Sequence, residues 1–129
     1  MVLVNNAGLA LGTDAVYANS IKDAKTVMDT NVLGVTAFCS AFIPGMLQRQ
    51  QGHIVNVGSV AGHHAYKNGS VYNASKFAIK GFTEAAMVKF HPTILSSAFR
   101  LPPNLTLYKR TLTLILIPRH AHYQNWMNS

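Results

Sequence analysis

Cysteine is nearly absent from this 129-residue chain: there is one, Cys39. A lone thiol closes no internal disulfide, and without nearby partners it builds no zinc site. A reducing, cytoplasmic setting is the expectation. Acidic residues are also scarce, four against eleven Lys or Arg, for a net charge of +7. Long apolar runs are missing. The run near the end, Leu114–Ile117, falls far short of the roughly 20 residues that span a bilayer, so no membrane association is expected. No basic, apolar, small-residue leader opens the chain, and none of the three Asn-x-Ser/Thr triplets (Asn68, Asn73, Asn104) is expected to carry a glycan. There is no internal repeat.

What is present is a domain-sized chain in which 49% of the residues are apolar. That is enough to bury a core and argues against disorder. The positive charge is uneven. Residues 1–87 carry six basic and four acidic residues; residues 88–129 carry five basic and no acidic ones. The basic residues of the second segment (Lys89, Arg100, Lys109, Arg110, Arg119) are scattered, not gathered into a stripe, so nucleic-acid binding is not expected.

Residues 1–87 read as strand, helix, strand, helix. Val2–Val4 is a short apolar strand, and Asn5-Asn6-Ala7-Gly8 ends it with turn chemistry. Residues 21–48 are a helix. Val27, Asn31, Val35, Phe38 and Phe42 recur at spacings of four or three on one face. Ser20 is its candidate N-cap, Asp23 suits the first turn, and Pro44 is expected to kink or end it. Ile54–Gly58 is a β-branched strand, followed by a Gly-, His- and Asn-rich loop from Ser59 to Ser70. A second helix runs from about Tyr72 to Met87. This alternation predicts a parallel α/β sheet with right-handed crossovers, covered on both faces. Composition shifts near residue 88. Four prolines punctuate residues 88–129, and Leu105–Ile117, with its partial Leu/Thr alternation, is a candidate strand. The predicted organisation is a segment 1–87 and a divergent, poorly ordered tail 88–129.

In parallel α/β sheets ligands bind beyond the carboxyl ends of the strands. Asn5–Gly8 and Ser59 fall there. Tyr72 and Lys76 are four apart at a helix start and share a face. An ammonium beside a phenol favours the phenolate. With a serine hydroxyl, such a pair exchanges a proton with an alcohol. Taken alone, the pair also fits an ordinary exposed helix start. Asn31 is a polar residue on an apolar stripe, and a buried Asn must find hydrogen-bond partners. His63 and His64 have no acid or Cys near in sequence and are not expected to hold a metal. His53 reads as a surface residue, and Cys39 as a small buried apolar group.

Four motifs in order, Asn5-Asn6-Ala7-Gly8, Asn31-Val32-Leu33-Gly34, Gly58-Ser59-Val60-Ala61-Gly62 and Tyr72-Asn73-Ala74-Ser75-Lys76, resemble those of the short-chain dehydrogenases/reductases. Ser59 precedes Tyr72 by thirteen residues, as in that family. The resemblance covers residues 1 to about 87. Asn5–Gly12, Asp29–Asn31 and Gly52–Lys76 are similar to a branch of NADP-dependent 3-hydroxy acid dehydrogenases acting on serine and allo-threonine. It implies a partial, doubly wound Rossmann-like sheet with an irregular tail. It implies an oxidoreductase using NADP on the CH–OH group of a small hydroxy acid or alcohol. Tyr72 would be the acid–base residue, Lys76 would lower its pKa and bind the nicotinamide ribose, and Ser59 would bond the substrate oxygen. Asn31 would hold a relay water, and Asn6, Ala7 and Gly8 would line the adenosine side. A homo-oligomer would form through helices 21–48 and 72–87.

Two departures stand beside the resemblance. The family's glycine-rich phosphate turn is missing from these 129 residues, and in the family it would precede Met1. Its loss would leave Val2–Val4 as an exposed sheet edge. After Met87 the family's strand ending in Pro-Gly is missing, and Leu105–Ile117 is the candidate to lie in its place. The alternative expectation is therefore a truncated, inactive fragment, at most an association partner of family members.

Overall fold

A computed structural model describes residues 1–12, 14–87, 94–99 and 114–117. Among these residues four strands, β1 (Val2–Asn5), β2 (Gly52–Val57), β3 (Ile94–Phe99) and β4 (Leu114–Ile117), form one sheet in the order β3-β2-β1-β4. β1, β2 and β3 are parallel, with Leu3 opposite Ile54 and Ile54 opposite Ser96. β4 runs antiparallel to β1, with Leu116 opposite Leu3.

Three α-helices among the described residues accompany the sheet: α1 (Ile21–Met28), α2 (Gly34–Gln48) and α3 (Ser70–Met87). Ser20 caps α1 by accepting from the Asp23 N–H at 3.4 Å, as its sequence position suggested. Pro44 does not end α2, which continues to Gln48. Pro44 and Ser40, whose carbonyl the proline leaves without its helical donor, are not buried, so water can serve that carbonyl. Between α1 and α2 lies one wide turn, Asp29–Leu33, closed by the Gly34 N–H on the Asp29 carbonyl five residues back. Such π-turns occur mostly as single-turn bulges inside α-helices, frequently at functional sites.

Among the described residues the core is a cluster of Leu3, Ile54, Val35, Cys39, Met46 and Ile79. Leu3 and Ile54 are register partners, so α2 and α3 cover the same face. Each crossover moves the chain the same way along the sheet, from β1 to β2 to β3, and equal handedness then puts both helices on one side. Val2, Val4, Val55 and Val57, which alternate with the core positions, are only half-buried. By length and composition the run Ile21–Gln48 is apolar enough to cross a membrane. One stripe of it, Val27, Asn31, Val35, Cys39 and Met46, is buried, and Val35, Cys39 and Met46 pack in the core with Leu3 and Ile54 of the sheet.

Two expectations about the second segment change. The place beside β2 belongs to Ile94–Phe99, not to Leu105–Ile117. Only the last four residues of that candidate form a described strand, and they lie on the far edge of β1, which is therefore not left open. The rest of 88–129, including its five basic residues and Trp126, lies outside the described residues. His53 lies within β2 and not before it, and is half-buried; burial pushes its imidazole below the usual range.

Candidate functional site

The carboxyl ends of β1 and β2 deliver Asn6–Gly8 and Ser59, and the start of α3 faces them. Asn31 is 2% exposed, at the centre of the π-turn. Its Oδ1 accepts from the Leu9 N–H at 2.9 Å, and its Nδ2 donates to the Leu9 carbonyl at 2.9 Å and to Ser75 Oγ at 3.0 Å. The side chain thus clamps the backbone just past Gly8 to the first turns of α3. This satisfies the buried amide that stood out on the apolar stripe.

Lys76 follows one turn after Tyr72. It is 7% exposed, and its Nζ donates to the Val57 carbonyl at 3.0 Å, at the end of β2. The Nζ lies 5.8 Å from the centre of the Tyr72 ring, within cation–π reach. Burial holds the ammonium below the usual lysine range. Gly8 stands against both polar groups: a Cβ there would lie 3.4 Å from Asn31 Oδ1 and 3.6 Å from Lys76 Nζ. Asn6 and Ala7 are half-buried immediately after β1.

Ser59 N-caps a short 3-10 turn, Val60–Gly62, by accepting from the Ala61 N–H at 3.2 Å. That bond leaves the hydroxyl hydrogen to be donated elsewhere. The turn is wedged onto α3. A Cβ at Gly62 would lie 2.8 Å from the Lys76 backbone oxygen. Ser59 is thereby carried on a turn seated against the helix that bears Tyr72 and Lys76.

Sequence reasoning missed several neighbours. Ser75 is fully buried and donates to the Tyr72 carbonyl at 2.7 Å while accepting from Asn31. Asn56, next to last in β2, is 1% exposed and joins Asn5 to Thr83 across three elements, at 2.8 and 2.9 Å. Asn5 also donates to Cys39 Sγ at 3.5 Å, and burial outweighs that bond to push the thiol up. The signal for Asn56 was the same as for Asn31, a polar residue in an apolar pattern. Tyr66 packs at Gly69, one residue before α3, and its carbonyl accepts from Asn73 at 3.2 Å. Burial first, and the charge of Tyr72 second, push the Tyr66 phenol up. Among the described residues no group of His, Cys, Asp and Glu is arranged to hold a metal.

A tyrosine and a buried lysine one turn apart, beyond the ends of parallel strands, coincide with a family match. The family model described as short chain dehydrogenase matches residues 1–102. The chain belongs to the short-chain dehydrogenase family. The match runs past residue 88 and takes in β3. Among curated relatives, the NADP-dependent 3-hydroxy acid dehydrogenase YdfG of Escherichia coli (strain K12) is 42% identical over 92 residues, covering 71% of this chain and 37% of the relative. The NADP-dependent 3-hydroxy acid dehydrogenase of Schizosaccharomyces pombe is 51% identical over 84 residues, 65% of this chain and 32% of the relative. The solved structure of serine dehydrogenase from Escherichia coli superposes with a TM-score of 0.73 at 40% identity, covering 75% of this chain and 45% of that one. This short-chain dehydrogenase chain therefore spans less than half the length of each. Its partial Rossmann-like α/β fold is that of the family.

Proposed function

We propose that this chain carries the proton-transfer part of an NADP-dependent oxidoreductase site acting on the CH–OH group of 3-hydroxy acids or related alcohols. The observation that carries this reading is the convergence of Asn31, Lys76 and Gly8 beside the Tyr72 ring at the strand ends. Oxidation of an alcohol removes a proton from oxygen and a hydride from carbon. Tyr72 takes the proton and Ser59 donates a hydrogen bond to the same substrate oxygen. Lys76 offers its ammonium to the ribose hydroxyls. Both Asn31 amide hydrogens are already donated, to Leu9 and Ser75, so a relay water at Asn31 is held by oxygen, from Oδ1 or from a carbonyl of the π-turn. NADP, when bound, supplies the hydride acceptor.

The residues present fit the ribose–nicotinamide end of that cofactor: a buried ammonium, a clamped backbone after β1, and a glycine leaving space between them. They include no glycine-rich turn to place a pyrophosphate on a helix N-terminus. A hydride acceptor must be fixed beside the substrate, and a few ribose contacts do not offset the entropy of fixing a large flexible dinucleotide. The 129-residue chain alone is therefore expected neither to bind NADPH measurably nor to oxidise serine. Calorimetric titration with NADPH and a spectrophotometric assay with NADP and serine test this. A micromolar dissociation constant, with turnover abolished by Tyr72→Phe, would mean that these residues complete a cofactor site by themselves.

A second reading is association without catalysis. Ile21, Leu33, Leu47 and Phe77 stand exposed on the helices of 21–48 and 70–87, a surface suited to a second copy. Light scattering of the purified chain separates a monomer from a dimer.

A further inference from the structure

Ser75 stands at a junction that neither the proton transfer nor the ribose contacts use. It is fully buried, in the turn between Tyr72 and Lys76. A buried serine in a helix commonly donates back to a carbonyl three or four residues earlier, and Ser75 does so to Tyr72 at 2.7 Å. Taken alone, that bond satisfies a buried hydroxyl. The same oxygen, however, also accepts from Asn31 Nδ2 at 3.0 Å, forty-four residues away. Asn31 in turn holds both backbone groups of Leu9 at 2.9 Å. One unbroken chain of hydrogen bonds thus runs from the Tyr72 backbone through Ser75 and Asn31 to the segment after Gly8. It joins α3, the π-turn and the β1 exit loop. In a regular helix the Tyr72 carbonyl is also the partner of the Lys76 N–H, so the Ser75 bond acts on the turn that sets the Tyr72–Lys76 spacing.

We propose that Ser75 is a positioning residue of this site, fixing Tyr72 and Lys76 relative to the Gly8–Leu9 backbone through Asn31. The proposal rests on the assignment of Tyr72 and Lys76 to proton transfer, but its mechanical content is independent of cofactor. An alanine at 75 removes both the donor to Tyr72 and the acceptor for Asn31. The Asn31 amide then loses one of its three anchors, and the Leu9 clamp opens more often. A purely local role for Ser75 would disturb α3 and leave Leu9 untouched.

The test is amide hydrogen exchange and side-chain NMR on the full chain and on Ser75→Ala. The expected result is at least tenfold faster exchange at the Leu9 amide, with the core amides of Ile54 and Ile79 unchanged. The Lys76 Hε resonances, displaced by the ring current of Tyr72, move toward their unstructured values. Ser75→Thr, which keeps the hydroxyl, restores both readings. Where Ser75→Ala gives no dispersed spectrum, Ser75→Cys keeps the volume, weakens the hydrogen bonds and takes the same two readings. Unchanged Leu9 exchange and unchanged Lys76 shifts in the folded variant would overturn the proposal. No reading involves NADP, so this outcome and that of the cofactor titration are separate.

Discussion

Asn31 and Leu9 exchange two hydrogen bonds, side chain to backbone, across twenty-two residues of sequence. Replacing Asn31 by alanine leaves the Leu9 N–H and carbonyl without these partners and takes the donor from Ser75. An unpaired buried polar group costs about 1–3 kcal/mol. Asn31→Ala should therefore destabilise the chain by about 3 kcal/mol, read from the midpoint of urea unfolding. A loss below about 1 kcal/mol would show that water replaces the amide at this position.

A second buried amide makes a parallel case. Asn56 accepts from Asn5 and donates to Thr83, whose hydroxyl donates in turn to the Ile79 carbonyl. The network ties β1, β2 and α3 together within the core. Asn56→Ala should cost about 2–3 kcal/mol. Adding Asn5→Ala should cost less than its single effect, because the two side chains share one bond. Strict additivity in that double-mutant cycle would contradict a connected network.

Much of this was legible in the sequence. β-branched runs marked β1 and β2, the four-and-three spacing marked the helix of 21–48, and Ser20 fell at its cap. Asn31 stood out as a polar residue on an apolar stripe. The π-turn around it was not legible, because it depends on bonds to Leu9 and Ser75 that sequence spacing does not encode. Ser75 passed unnoticed because a serine in a helix is ordinary until its partners are known. The placing of both helices on one sheet face depended on strand order, which local periodicity leaves open. The positions of β3 and β4 were lost for the same reason: the register of an apolar segment is decided by which edge is available.

Lys76 gives a pH dependence of known sign. Unfolded, its ammonium titrates near 10.5; folded, burial holds it lower. Between those two values the unfolded chain binds more protons, so raising the pH favours the folded chain. Stability should therefore rise with pH through the window below 10.5, relative to Lys76→Met, in which this dependence vanishes. Denaturant midpoints taken at successive pH values would show it. A flat difference between the two proteins would mean that the buried amine stays charged without penalty.

His53 acts at the acid end. Its ordinary value is 6.5, and burial in β2 lowers it in the folded chain. The unfolded chain then takes up the proton first, and stability falls as the pH drops through the window beneath 6.5. His53→Gln should remove that part of the acid loss. Thermal midpoints at about pH 7 and about pH 5 for both proteins give the comparison. An equal loss in the two would place the acid sensitivity elsewhere.

Gly62 offers a test of how Ser59 is delivered to the site. The Val60–Gly62 turn lies so close to α3 that a Cβ at residue 62 would stand 2.8 Å from the Lys76 backbone oxygen and 3.1 Å from its carbonyl carbon. Both are backbone atoms inside a helix and cannot swing aside as a side-chain end would. Gly62→Ala must therefore push the turn off the helix or bend the helix itself. Overpacking of this kind costs about 1–3 kcal/mol. Displacement of the turn carries Ser59 with it, since Ser59 is its cap through Ala61. The strain should then show at two places: a lower unfolding midpoint, and shifted amide resonances at Ser59 and Ala61 with those of Leu3 and Ile54 unmoved. Gly81, in the same helix as Lys76, is the control, because a Cβ there meets nothing within 4 Å. Gly81→Ala should stabilise the chain by about 0.5–1 kcal/mol through helix propensity alone. Equal effects of the two substitutions would show that the turn yields freely and that its contact with α3 does not place Ser59.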